Sequence, residues 1–174
     1  MSQLISETEF FAGRKRALEG DDTSSIVTAV DMGQGRFAIL SRYPDPEWTL
    51  PHNLFPKSKS ESLRKLKFQS IPVCFQSQMR QIILRYLVYG IEGRSRVAGS
   101  TIVDFFKNAK VFLTFLESKF GVTSLQAVSP LHCIQYVDYQ KSRITPKTKK
   151  PAKKSTLRVI FCAVENLHRL SLHT

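Results

Sequence analysis

Residues 100–121 read STIVDFFKNAKVFLTFLESKFG. Its apolar residues recur every three or four positions, the spacing that places side chains on one face of an α-helix. Ser100 and Thr101 are candidate N-caps, Thr101 and Asp104 have capping-box spacing, and Gly121 is a typical stop. The stretch predicts a long helix whose phenylalanines belong to a core and do not stack on bases. Its buried stripe is Ile102, Phe105, Phe106, Ala109, Phe112, Leu113, Leu116 and Phe120.

Three further helices are predicted around this one. The first spans roughly 73–89 and ends at Gly90, and the second begins with Ser129 as N-cap and Pro130 in the first turn. The third follows a lysine-rich loop and starts at Ser155 or Thr156. Helices of this length joined by short loops are typical of a compact four-helix bundle. The residues expected to face inward are Phe75, Met79, Ile82, Ile83, Tyr86 and Leu87 in the first, Leu131, Ile134 and Val137 in the second, and Leu157, Ile160, Phe161, Val164 and Leu167 in the third.

The first 70 residues predict a smaller extension of mixed structure. Ser6 and Glu9 have capping-box spacing and Gly20 follows as a stop, which fits a short helix, with a flexible basic arm as an equal alternative. Two β-rich runs, 26–30 and 36–40, flank DMGQG and predict a β-hairpin.

A proline-rich segment completes this extension. Pro44, Pro46, Pro51 and Pro56 are expected to break any regular element, and Trp48 and Leu50 to anchor the segment to a core. The stretch KSKSESLRKLKFQS (57–70) favours a linker or a frayed helix. We therefore predict a mainly α protein, with an N-terminal extension over 1–70 and a helical domain over 71–174.

The positive charge is concentrated in the helical part. Residues 1–70 hold 10 Lys and Arg against 9 Asp and Glu, whereas residues 71–174 hold 16 against 5, so that +11 of the net +12 lies in the second part. Such an asymmetry favours a polyanionic partner, nucleic acid first, with an anionic membrane surface or an acidic protein as alternatives.

Five lysines crowd the start of the last helix. A helix N-terminus carries about half a positive charge, so lysines there are unfavourable unless an anion balances them. Free backbone N–H groups and the hydroxyls of Ser155 and Thr156 can hold a phosphate at this position. We interpret the cluster as a DNA-backbone site, with a solvated loop that contacts nothing as the alternative. The lysines are Lys147, Lys149, Lys150, Lys153 and Lys154.

The sequence shows no catalytic or metal-binding constellation. Its three cysteines are widely spaced, its four histidines form no HExxH motif, and the acidic residues of the second part are scattered singly. No apolar run approaches the roughly 20 residues of a membrane span, and no secretory signal is visible. We expect no metal, cofactor, small-molecule ligand or membrane association, and a cytoplasmic location.

Three motifs of the helical part resemble the core-binding, SAM-like domain of tyrosine recombinases, the phage-integrase family. In that family a Thr opens a helix with an aromatic one turn later and an L..FL.FL ending, a (S/T)P..I..Y helix follows, and S..T+...L.A+..F...L comes last. The matching residues are Thr101, Phe105, Phe112 and Leu116 for the first motif, Ser129, Pro130, Ile134 and Tyr136 for the second, and Ser155, Arg158, Ala163, Val164 and Leu167 for the third.

The resemblance implies a module that grips one face of a duplex recombination site in a bacterial, nucleoid-associated enzyme, with other recombinase protomers as partners. A recombinase would begin its catalytic domain where this sequence stops, and the Arg, Lys, HxxR and Tyr set is missing, so this chain alone is not expected to cleave DNA. A protein-interaction domain whose lysine loop binds an acidic partner is the alternative. The implied DNA contacts are Thr101, Lys107, Lys110, Lys153, Lys154, Ser155, Thr156 and Arg158.

Overall fold

The chain is mainly helical and carries a small antiparallel β-sheet. The computed structural model describes residues 3–20, 25–56, 59–90, 98–145 and 150–172, with the backbone alone at Thr145 and Lys150. Within these ranges, every helix is too short or too polar to cross a bilayer. The helices are α1 (Glu7–Glu19), α2 (Val73–Tyr89), α3 (Gly99–Phe120), α4 (Pro130–Ser142) and α5 (Lys154–Ser171). The strands are β1 (Leu4–Ser6), β2 (Ile26–Asp31), β3 (Arg36–Arg42), β4 (Glu47–Thr49), β5 (Lys65–Lys67), β6 (Ile144–Thr145) and β7 (Lys150–Pro151).

The N-terminal part forms the predicted helix and hairpin. Ser6 and Glu9 close a capping box at the start of α1, and Gly20 ends that helix in the left-handed conformation. β2 and β3 pair around the glycine turn, and β1 adds to the other edge of β3, so the strand order is β1-β3-β2. Both predictions are confirmed, and the helix replaces the alternative of a flexible arm.

The proline-rich segment is more regular than the sequence predicts. β4 pairs with β5 in antiparallel register, Trp48 opposite Leu66, so neither the absence of regular structure nor a linker over 57–70 is correct for the described residues. The reason is burial: Trp48, Leu50, Leu66 and Phe68 are almost completely inaccessible to solvent, and Phe68 meets Trp48 edge-on with 4.6 Å between ring centroids. Trp48 and Leu50 are anchors, as predicted.

The four helices of the second part occupy the predicted positions. α2 ends at Gly90, α3 ends at Gly121 in the left-handed conformation, and α4 starts with Ser129 as N-cap and Pro130 in its first turn. The apolar stripe of α3 is buried as expected, with Phe120 half-buried at its end. The start of α3 differs, because Ala98 is the N-cap and makes no side-chain bond, so the caps at Ser100 and Thr101 are wrong.

The inward face predicted for α4 is wrong at two of its three residues, since only Val137 is partly buried. Leu131 and Ile134 are 59% and 58% exposed, whereas Tyr136 and Gln140 are buried. The Tyr136 ring lies between Phe112 and Phe115, with centroid distances of 4.8 and 5.1 Å, and this packing fixes the rotation of the helix. α4 is therefore apolar on both its inner and its outer face.

The inward face of α5 is right only in part. Leu167 is buried, and Ile160 and Val164 pack half-buried against the core, but Leu157 and Phe161 lie at a surface depression. Ala163, Asn166 and Leu170 take the remaining buried positions. The face of α5 that packs on the core is therefore rotated from the predicted face, because this helix contacts α2, α3 and α4 together.

The larger of two hydrophobic clusters among the described residues joins both sides of position 70, and the smaller one contains Ile5, Phe10, Ile26 and Ala29. The guanidinium of Arg80 on α2 donates to the carbonyls of Tyr43 and Asp45 and lies 4.6 Å from the Phe68 ring centroid. At the start of α3, an added Cβ on Gly99 would lie 2.6 Å from the ring of Phe55. The N-terminal part therefore packs closely on α2 and α3.

Candidate nucleic-acid interface

The start of α5 has no side-chain cap. Lys153 is the N-cap in extended conformation, and the first helical hydrogen bond runs from the Leu157 N–H to the Lys153 carbonyl, 3.0 Å. The N–H groups of residues 154–156 consequently have no acceptor within the helix. The caps predicted at Ser155 or Thr156 are wrong, since the chain turns into the helix directly after β7 and both hydroxyls lie exposed in its first turn.

Three cations surround this helix start. Lys153, Lys154 and Arg158 are exposed, and none of them forms an ion pair with a carboxylate in the described part of the chain. Lys154 and Arg158 are one turn apart and line the same depression on the outer side of α5. Glu165, at the far end of that depression, is held by Arg169 with 2.7 Å between Oε1 and Nη2. The positive charge at the start of α5 is therefore not neutralised locally.

A short hairpin brings further cations to the same end of the molecule. In the β6–β7 ladder, Ile144 pairs with Pro151 and residue 145 with residue 150, so the end of α4 lies beside the start of α5. Lys141 and Arg143, both exposed, precede this ladder directly. Sequence reasoning missed these two residues, although they continue the run of basic residues in the N-terminal direction. Lys147 and Lys149 lie outside the described residues, as does the Lys150 side chain.

The implied contacts on α3 do not all join this group. Thr101 and Lys107 are exposed on α3, but no described contact links either of them to the start of α5. Lys110 is half-buried and lines a groove between α3 and α4 together with Arg143. The structure thus brings together the α5 residues, whereas Lys110 lies with Arg143 in the groove between α3 and α4.

No metal centre accompanies these cations in the described ranges, and the free thiol of Cys162 lines the same depression as Lys154 and Arg158. No group of three or more His, Cys, Asp or Glu residues there is arranged to hold a metal. Tyr136 is 1% exposed, and burial raises its pKa to about 12, which disfavours the phenolate. Burial also raises the pKa of the Cys133 thiol. The arrangement is suited to binding an anion.

Comparison with protein-family models, with curated proteins and with solved structures finds no match to this chain.

Proposed function

We propose that this chain is a duplex-DNA-binding domain, the core-binding portion of a site-specific tyrosine recombinase. One observation carries the proposal: a helix start without a cap, surrounded by the exposed and unpaired Lys153, Lys154 and Arg158. A phosphate held by the free N–H groups and the hydroxyls of Ser155 and Thr156 would supply the missing negative charge.

Duplex DNA fits the spatial arrangement of these cations better than a single small anion does. Lys141 and Arg143 lie at the end of α4, which the β6–β7 ladder holds beside the start of α5, and Arg143 lines the α3–α4 groove together with Lys110. An extended row of cations matches the repeating charges of a nucleic-acid backbone. The outer face of the first turns of α5 is exposed, and an α-helix is an element that fits into the major groove of duplex DNA.

The recombinase assignment rests on the resemblance of the α3, α4 and α5 sequence motifs, and it implies a SAM-like arrangement of α2–α5. On this assignment, this chain would bind the recombination site. A catalytic domain would cleave the DNA in a synapse that contains other recombinase protomers. On this proposal the chain alone binds DNA without cutting it, in the bacterial cytoplasm.

Titration of a labelled duplex at several salt concentrations tests the proposal. If about six phosphates are neutralised, the logarithm of the association constant falls against the logarithm of salt with a slope near −5. Polyglutamate of equal charge serves as the matched competitor, because an acidic-protein site would bind it as tightly as DNA. Micromolar or weaker duplex binding without a salt slope, or equal binding of polyglutamate, contradicts the DNA assignment.

A further inference from the structure

The outer face of α4 carries apolar side chains that nothing in the described structure covers. Leu131 and Ile134 are 59% and 58% exposed, and Tyr139 is 44% exposed. Neighbouring apolar residues exposed on one helix mark a binding surface more often than isolated ones do. We propose that this face, together with the adjoining α3–α4 groove, binds an acidic amphipathic helix of a partner protein.

The groove beside this face has an aromatic floor. Tyr139 on α4 stacks on Phe115 of α3, with 5.0 Å between ring centroids and 28° between ring planes. Val111 of α3 lines the same groove and is 37% exposed. The groove has a volume of about 740 Å³, enough for several side chains of one helix face. A hydrophobic groove is the setting in which amphipathic helices dock.

The charged residues at the rim of the groove determine which charge on a partner would be favourable. Lys110, Lys119 and Arg143 line it, and Asp138 is its one carboxylate among the described residues. None of these four side chains takes part in a described ion pair. A partner helix with leucine or phenylalanine on one face and glutamate on its flanks would place carboxylates against these cations. The complementarity therefore favours an acidic helix over a basic one.

This surface is separate from the proposed phosphate site. Leu131, Ile134 and Tyr139 belong to no proposed DNA contact, whereas Lys110 and Arg143 adjoin both surfaces. Substitutions of the apolar residues consequently distinguish the two: they should abolish peptide binding and leave duplex affinity unchanged.

Selection from a peptide-display library tests the inference without presupposing the charge of the partner. Each 16-residue peptide, a length of about four helical turns, has leucine at positions spaced i, i+3, i+4 and i+7, with Glu, Lys, Gln and Ser randomised elsewhere. The target is the complete chain, and the counter-target is the double variant Leu131→Gln, Ile134→Gln. The control is Val73→Gln, Met32→Gln, which removes two apolar residues that are 84% and 62% exposed elsewhere on the surface.

The expected result is enrichment of glutamate-rich peptides that bind the chain and the control variant equally and the double variant at least about tenfold more weakly. Equal melting temperatures of the three proteins show that the double variant is folded. The inference is overturned by enrichment of lysine-rich or neutral peptides, by no enrichment, or by peptides that bind the double variant equally. It is also overturned if the double substitution instead abolishes self-association of the chain or its binding to vesicles containing phosphatidylserine.

Discussion

The starts of α1 and α5 differ in the hydrogen bonds that their side chains offer to the backbone N–H groups of the first turn. At α1, the Ser6 hydroxyl accepts from the Glu9 N–H at 3.3 Å, and the Glu9 carboxylate accepts from the Ser6 N–H at 2.8 Å. Two acidic residues occupy that first turn. At α5, no acidic residue is present in the first turn, and Lys153 as N-cap makes no side-chain bond.

The two helix starts also differ in their electrostatics. The backbone and side-chain hydrogen bonds from Ser6 lower the pKa of Glu9, which means that the folded state stabilises its carboxylate. The start of α5 instead adds lysines to the positive end of the helix dipole. A bound anion would supply for α5 what Ser6 and Glu9 supply for α1.

The largest expected effect is on DNA affinity. The triple variant Lys153→Ala, Lys154→Ala, Arg158→Ala should weaken duplex binding about 100-fold at about 0.1 M salt, and reduce the salt slope by about 2.7, because three phosphate contacts are lost. Fluorescence anisotropy at several salt concentrations measures both quantities.

A charge-matched control separates a local contact from net charge. The variant Lys15→Ala, Arg36→Ala, Lys67→Ala also removes three exposed cations, but from the N-terminal part. It should retain the wild-type slope. If both triple variants lose affinity equally, the start of α5 is not a specific phosphate site. A large fall in the melting temperature of the α5 variant would show that its cations are structural.

An effect of intermediate size concerns stability. Ser6→Ala removes the cap of α1 and should lower the free energy of unfolding by about 1 kcal/mol. Ser155→Ala, at an exposed hydroxyl that caps nothing, should change it by less than about 0.5 kcal/mol. Urea unfolding of the two variants in the absence of DNA provides the comparison. Equal losses would mean that the hydroxyl of Ser155 stabilises α5 from within the chain.

The smallest expected effect is a pH dependence at α1. Because the folded pKa of Glu9 is lowered, its stabilising contribution is fully present above the ordinary pKa of glutamate and is lost as pH falls through the folded value. Between about pH 6 and about pH 3, the wild type should therefore lose more stability than Glu9→Gln. Glu7→Gln, in the same turn but outside the capping box, is the control. Identical losses in the wild type and Glu9→Gln would contradict a capping role for this carboxylate.

The elements that the sequence predicts well are those whose signals are local. The capping box at Ser6 and Glu9, the Ser129–Pro130 start of α4 and the stop at Gly121 each depend on neighbours within one turn. The hairpin of β2 and β3 also depends on a local turn. By contrast, β4 and β5 are three residues each and pair across a long connection, so their formation depends on the burial of Trp48 and Leu66.

Helix rotation was less predictable, and the candidate site shows why. α4 carries apolar residues on both faces, so periodicity alone does not decide whether Ile134 or Tyr136 faces inward. Phe112 and Phe115 on α3 determine the rotation of α4, because their rings pack against Tyr136. In the same way, Lys141 and Arg143 reach the start of α5 only through the β6–β7 ladder, whose two-residue strands carry little sequence signal.

The close approach of Gly99 to Phe55 limits which segments of this protein can be exchanged in a chimera. A side chain of any size at the first position of α3 would meet the aromatic ring 2.6 Å away. In a chimera that joins α2–α5 to an unrelated N-terminal segment, Gly99 would either lose its contact with Phe55 or clash with a new side chain. A chimera that keeps α2–α5 should therefore also keep the segment around Phe55.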